Sequence, residues 1–102
     1  MDILDEFFLE ANEMLSEAED SFLEIEKIEN LEEEFNKIFR IFHSLKGSAG
    51  MMGLEQLQRH MHLMEDSLSV ETIRDKVDYY LKGIDVSKQL IAGDDNVTFF
   101  KC

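Results

Sequence analysis

The stretch FHSLKGSAGMMG, residues 42–53, places His43 ahead of a lysine and three glycines. An imidazole nitrogen can act as a nucleophile, and a lysine ammonium can offset the charge of a phosphoryl group. Each residue of an α-helix advances by about 100°, so Lys46, Gly47 and Gly50 lie within about 60° of the histidine. A helix here would present a nucleophile, a cation and bare backbone on one face, partly in water.

The two glycines on that face require a reason, because a glycine inside a helix costs about 1 kcal/mol relative to alanine. Another helix of the same fold could pack closely against them. Alternatively, the backbone of a partner could approach His43 where a Cβ atom would obstruct it. The spacing leaves both alternatives open. Lys46 favours the second, because lysine is unusual on a tight helix–helix seam and expected beside a phosphate.

A second candidate group is the pair His62 and Glu65, which are three residues apart and share a helix face. His43 lies ten residues before Gly53 and Glu65 twelve residues after it. In two antiparallel helices joined near Gly53, both would stand about 15–18 Å from the turn. We therefore expect Glu65 to accept a hydrogen bond from one ring nitrogen of His43, leaving the other nitrogen nucleophilic. His60 is expected to be an ordinary polar residue.

Apolar residues recur at helical spacing along most of the chain and predict an all-α fold. Four amphipathic helices joined by short turns imply an antiparallel up-down four-helix bundle. The predicted helices span about residues 2–28, 31–51, 54–67 and 70–92.

Local signals mark several of these helix ends. Asn30 with Glu33 has the pattern of a capping box before the second helix, and Gly53 suits a left-handed position after it. Ser69 is the predicted cap of the fourth helix, and Gly93 closes that helix. We predict one bundle domain at residues 1–93, followed by a tail or a truncated continuation at 94–102.

Composition narrows the possible partners. The 102 residues carry a net charge of −13, which argues against nucleic acid. Residues 1–34 hold fourteen acids and one base, whereas residues 35–64 hold four bases and one acid, and that segment contains His43. No apolar run approaches the roughly 20 residues that a membrane span needs. The acidic N-terminus and the single cysteine, Cys102, favour a cytoplasmic protein without disulfides.

The string IFRIFHSLKGSAGMMG, followed by HLME, resembles the histidine phosphotransfer (HPt) domain. The resemblance is strongest to the N-terminal phosphoacceptor domain of CheA-type chemotaxis histidine kinases, and it covers most of residues 1–68. The acidic first helix also resembles that family. The matching positions are Phe39, Arg40, His43, Lys46, Gly47, Ala49, Gly53, His62 and Glu65.

The resemblance implies a role for each position of the motif. His43 would be phosphorylated at Nε2, while Glu65 would hold Nδ1–H. Lys46 would offset charge on the phosphoryl oxygens, and His62 would lie beside the pair as a supporting group. The partner-binding positions would be Arg40, Gly47 and Gly50.

The resemblance also implies the partners. The phosphoryl donor would be ATP in a separate histidine kinase catalytic domain, or an aspartyl phosphate on a response regulator, and the acceptor would be a response-regulator aspartate. The domain would bind no cofactor and would not be a catalyst alone, with ATP and Mg²⁺ held by partner domains. It would be monomeric, either as a fragment of a longer kinase or as a stand-alone HPt protein.

Helical bundles also serve two other classes of function. Carboxylate-bridged metal sites in helical bundles use Glu-x-x-His pairs, and no histidine here has an acid three residues before it. We therefore expect no metal ligands. A docking module without chemistry is the other alternative, against which the complete set of His, Lys, Gly and Glu speaks.

Overall fold

The computed structural model describes residues 2–93, which form four α-helices and one short 3₁₀ helix. The predicted all-α fold is confirmed, and no strand occurs in that range. The predicted tail at 94–102 lies outside the described residues, so the predicted domain boundary stays a prediction. The elements are α1 (Ile3–Leu23), α2 (Leu31–Met51), α3 (Glu55–Ser67), the 3₁₀ helix (Ile73–Lys76) and α4 (Val77–Ile91).

The end of α1 differs from the prediction. The helix ends at Leu23, not near residue 28, and a turn follows. Ile25 stays fully buried beyond the helix, so the apolar spacing that suggested a longer helix reflects core packing. Arg74 donates hydrogen bonds to the carbonyl oxygens of Ile25 and Ile28 at 3.3 and 2.9 Å. These contacts pair two backbone acceptors in the segment that follows the helix.

The bounds of α2 are those predicted. The Asn30 side chain accepts a hydrogen bond from the Glu33 backbone N–H and donates one to the Glu33 carboxylate. At the other end, Gly53 adopts a φ of +74°. The Leu54 N–H bonds to the Ala49 carbonyl at 2.9 Å, which is the long hydrogen bond of a Schellman motif.

The start of α4 was predicted wrongly at residue 70. Ser69 does not cap a helix there; its hydroxyl accepts a hydrogen bond from the Glu71 backbone N–H and forms a turn. The 3₁₀ helix follows and buries Ile73 fully, and regular α-helix begins at Val77. Gly93 closes α4 as predicted, with a φ of +90°.

Cross-helix contacts show that neighbouring helices run antiparallel. His43 meets Glu65, and further along α2 Gly50 meets Gln58, so residue numbers rise in α2 as they fall in α3. Phe22 of α1 stacks on Tyr80 of α4, with ring centroids 5.0 Å apart. Helix α1 contacts both α2 and α4, which closes the bundle.

The core lies between the four helices, and His43 lies outside it. Burial of each large apolar side chain stabilises the fold by about 1.5–3 kcal/mol. The largest fully buried apolar or aromatic side chains are Leu15, Phe22, Ile25, Ile38, Phe42, Met61, Met64, Ile73, Tyr80 and Ile84.

His60 is not the ordinary polar residue that we expected. It is 6% exposed, and its Nε2 lies 2.9 Å from the Gly83 carbonyl of α4, to which it donates a hydrogen bond. Burial lowers the pKa of His60, and the hydrogen bond to Gly83 offsets this in part. His60 therefore joins α3 to α4 in its neutral form.

Candidate functional site

His43 and Glu65 meet at the outer edge of the seam between α2 and α3. Nδ1 of His43 lies 2.7 Å from Oε2 of Glu65. The histidine side chain is 62% exposed, whereas the glutamate side chain is 10% exposed. The contact predicted from the height of the two residues is therefore present, with the imidazole in water and the carboxylate sheltered.

The ionisation of the Glu65 carboxyl group decides which ring nitrogen of His43 carries the proton. Burial pushes the pKa of Glu65 up, but hydrogen bonds and Coulombic attraction from Lys46 and His43 outweigh it and leave the pKa lowered. An ionised carboxylate can only accept hydrogen bonds, so the Nδ1–H group of His43 donates a hydrogen bond to Glu65. In the neutral imidazole, Nε2 then holds a free lone pair, as nucleophilic attack requires.

Lys46 completes the polar group. Its Nζ donates to Oε1 of Glu65 at 2.8 Å, and the lysine side chain is 23% exposed. Both carboxylate oxygens therefore have a donor, one from each of two α2 residues a turn apart. This pairing allows a nearly buried negative charge on α3.

Phe39 belongs to this site, although the sequence reasoning gave it no role. Its ring stacks on the imidazole of His43, with centroids 6.0 Å apart and planes 9° apart. The signal that could have found it is the spacing of four residues, which places two rings next to each other on a helix.

The two glycines beside His43 have different surroundings. A Cβ atom on Gly47 would meet nothing within 4 Å. A Cβ atom on Gly50 would lie 2.5 Å from Nε2 of the Gln58 side chain. The Gln58 side chain of α3 therefore covers Gly50 within the bundle, and the predicted contact of Gly50 with a partner stays a prediction. The open surface at Gly47 fits the approach of another protein.

His62 lies near the pair but has its own partner. Its Nε2 is 3.1 Å from Oδ2 of Asp66, one turn further along α3. Ligand atoms of His62, Glu65 and Asp66 lie within 4.8 Å of one another, which is a possible donor set for a metal ion. Hydrogen bonds from His43 and Lys46 already occupy Glu65, and the other two residues contact each other.

Arg40 stands apart from the polar group. Its side chain is exposed and lines a surface depression together with Asn36 and residues at the start of α2. Within residues 2–93, no hydrogen bond or ion pair joins Arg40 to His43 or Glu65. Its predicted role in partner binding stays a prediction.

The group as a whole is suited to one kind of chemistry. An exposed imidazole presents an unprotonated nitrogen, a carboxylate steadies the opposite nitrogen, and an ammonium lies one turn away. This is the arrangement of a nucleophile that receives a group from outside and later releases it.

Among the helices that the structure describes, none has the length and apolar character needed to cross a membrane.

Comparison with known proteins agrees with this chemistry. The chain is 34% identical over 90 residues to Chemotaxis protein CheA of Halobacterium salinarum, covering 82% of this chain and 14% of the relative. Sensor histidine kinase CheAY of Helicobacter pylori is 31% identical over 96 residues, covering 88% and 12%. Chemotaxis protein CheA of Salmonella typhimurium is 44% identical over 71 residues, covering 67% and 11%.

The chain therefore spans about an eighth of the length of these relatives. No solved structure matches it. The sequence model of the Hpt domain matches residues 2–91, which is nearly the whole of the described bundle. The chain belongs to the Hpt domain family, the histidine phosphotransfer modules of two-component signalling.

Proposed function

We propose that His43 is the phosphoacceptor of this module, which takes a phosphoryl group from a histidine kinase catalytic domain and passes it to a response-regulator aspartate. The observation that carries the proposal is the 2.7 Å contact between Nδ1 of His43 and the ionised Glu65. In the neutral imidazole this contact leaves the lone pair on Nε2, on a side chain that is 62% exposed. A partner can therefore reach the nucleophilic nitrogen without rearrangement of the bundle.

The proposed transfer has two steps. The Nε2 lone pair attacks the γ-phosphorus of ATP, the bond to the bridging oxygen breaks, and ADP leaves. The ring gains positive charge as the N–P bond forms, and Glu65 stabilises that charge through Nδ1–H. In the second step an aspartate oxygen attacks phosphorus, the N–P bond breaks, and the neutral imidazole returns with its proton on Nδ1.

Lys46 has a proposed role in the same steps. Its ammonium lies one turn from His43 and is partly exposed, so it can offset charge on the phosphoryl oxygens. His62, Arg40 and Gly47 are proposed to support the site or to contact the partner. Positioning of ATP and Mg²⁺ belongs to the partner domains, because this module supplies the nucleophile and no nucleotide-binding machinery is proposed for it.

The proposal extends to the setting of the module. The relatives are named as chemotaxis proteins and as a sensor histidine kinase, which supports a CheA-type kinase as the phosphoryl donor. Dependence on ATP supports a cytoplasmic location. We propose that the module acts as a monomer, since one chain contributes every residue of the polar group.

The test is incubation of the chain with a CheA-type kinase that lacks its own phosphoacceptor domain, together with radiolabelled ATP. We expect label on the chain that is lost in acid and kept in alkali, as for phosphohistidine. His43→Gln should accept no label and keep its helical circular dichroism. His62→Gln, the matched exposed histidine on α3, should still be labelled.

Two outcomes would contradict the proposal. Label on His43→Gln would move the acceptor to another residue. Binding of the wild-type chain to kinase and receiver domains without any label would instead identify a docking module without chemistry.

A further inference from the structure

Three rings form a column along α2 that ends on the imidazole. Phe39 lies one turn before His43 and stacks on it, with centroids 6.0 Å apart and planes 9° apart. Phe35 stacks on Phe39 in turn, with centroids 6.4 Å apart and planes 24° apart. The spacing of four residues places successive rings next to each other on the helix.

Burial in the core does not explain an aromatic residue at position 39. Phe35 packs against the core, whereas Phe39 is 38% exposed. Leucine or methionine at an exposed helical position would favour the helix more than phenylalanine. The ring contact with His43 is the feature of Phe39 that an aliphatic side chain could not reproduce.

The hydrogen bond to Glu65 does not by itself fix the plane of the imidazole. It holds one atom, Nδ1, and the ring can still pivot about that contact because the χ2 torsion of histidine is broad. The side chain is 62% exposed, so few other contacts restrain it. A stacked ring restrains the plane itself. The imidazole is thus held at its edge by α3 and on its face by α2.

We propose that Phe39 is a positioning residue for phosphoryl transfer, which keeps the imidazole in the plane where Nδ1 faces Glu65 and Nε2 faces solvent. The inference rests on the proposed function of His43. Loss of the stack should let the ring leave this plane, weaken the contact with Glu65 and shift the proton towards Nε2. The nucleophilic tautomer of His43 would then be less populated.

The first measurement uses phosphoramidate, a small phosphoryl donor that has no docking surface. Nε2 attacks phosphorus, the P–N bond of the donor breaks, and ammonia leaves. Stacked aromatic pairs shift an equilibrium by about two- to tenfold, so Phe39→Leu should slow phosphorylation of the chain by about that factor. Phe39→Tyr keeps the stack and should react as the wild type does. Phe35→Leu is the matched control on the same helix and should also retain the rate.

The second measurement is the nitrogen NMR spectrum of His43 in the same variants. The chemical shifts of the two ring nitrogens report which of them carries the proton. We expect the share of the Nδ1–H tautomer to fall in Phe39→Leu and to stay at the wild-type level in Phe39→Tyr and Phe35→Leu. A residue that only contacts partners, or only stabilises the helix, would not change this ratio.

Wild-type rate and wild-type tautomer ratio in Phe39→Leu would overturn the inference. Equal losses in Phe39→Leu and Phe35→Leu would also overturn it, because they would indicate a general loosening of α2. The proposed function fails separately, if the wild-type chain accepts no phosphoryl group from kinase or phosphoramidate. In that case the NMR ratio still decides whether Phe39 orients His43.

Discussion

At the scale of the residue, Glu65 meets two requirements that ordinarily conflict. A carboxylate that steadies an imidazole must be ionised, yet sheltering it from water favours its neutral form. Lys46 resolves the conflict, because its ammonium donates to the carboxylate oxygen that His43 leaves free. The lysine therefore acts on the charge of Glu65 before any phosphoryl group arrives.

The contact between His43 and Glu65 could be predicted from the sequence because the prediction needs few assumptions. Two antiparallel helices with a turn near Gly53 place His43 and Glu65 at equal height, and both residue types are uncommon on a shared seam. The cover over Gly50 could not be predicted, because it depends on the conformation of Gln58, a flexible side chain on the neighbouring helix. Helical spacing predicts which residues share a face of a helix. It does not predict which side chain of a neighbouring helix covers that face.

Glu65→Gln tests the charge at nearly constant shape. Glutamine can still accept a hydrogen bond from Nδ1 of His43, but it cannot balance positive charge on the ring or on Lys46. Hydrogen bonds to charged groups contribute about 1–1.5 kcal/mol more than neutral ones, so phosphorylation by phosphoramidate should slow by about tenfold. An unchanged rate would show that the charge of Glu65 has no part in the transfer.

The same substitution should also remove a pH dependence of stability. Because the folded state lowers the pKa of Glu65, its ionised form stabilises the fold fully above the ordinary glutamate pKa of about 4.3. That contribution is lost as the pH falls through the lower pKa of the folded state. Urea unfolding of the two proteins should therefore differ most near neutral pH and converge in acid. A difference that grows in acid would contradict the direction of the pKa shift.

At the scale of the elements, local signals predicted α2, whereas the missed end of α1 is followed by a long-range contact. Asn30 caps α2 through Glu33 three residues away, and Gly53 ends it, so a short window contains all the information. Beyond the end of α1, the Ile25 carbonyl instead accepts a hydrogen bond from Arg74, which lies 49 residues away. No reading of the residues around position 25 could have included that partner.

Gly47→Ala and Gly50→Ala form a matched pair on α2. Alanine favours a helix over glycine by about 1 kcal/mol, and a Cβ at Gly47 meets nothing, so Gly47→Ala should stabilise the protein by about that amount. At Gly50 the Gln58 amide must move away, so the gain should be smaller. Urea unfolding measures both values.

The same pair separates stability from partner access. If a kinase or receiver domain approaches over Gly47, Gly47→Ala should slow transfer from the protein partner and leave the phosphoramidate rate unchanged. Gly50→Ala should change neither rate. A Gly47→Ala variant that is destabilised would contradict the open surface seen around that residue.

At the scale of the whole molecule, charge is distributed unevenly. Residues 1–34 hold fourteen acids and one base, whereas residues 35–64, which include His43, hold four bases and one acid. Outside the site, the described ion pairs of lysine are few and long, such as Lys37 with Glu17 at 3.6 Å and Lys88 with Glu19 at 3.5 Å. With 23 acids and 10 Lys and Arg residues, most carboxylates have no cation to pair with. The acidic surface repels other anions and leaves the segment that contains His43 as the most favourable approach for a negatively charged group.

Self-repulsion of this kind should make the protein more stable in salt. The screening length falls from about 30 Å at 0.01 M to about 10 Å at 0.1 M salt, so repulsion among carboxylates weakens, while exposed ion pairs contribute only about 0–1 kcal/mol. We expect sodium chloride to raise Tm by several degrees over this range, since about 1 kcal/mol corresponds to about 4–8 °C in a domain of this size.

Glu10→Gln, which removes an exposed α1 charge, should raise Tm at low salt and reduce the salt effect. Glu17→Gln should gain less, because it also removes the partner of Lys37. A Tm that falls as salt is first added would mean that ion pairs, and not repulsion, dominate the electrostatics of the bundle.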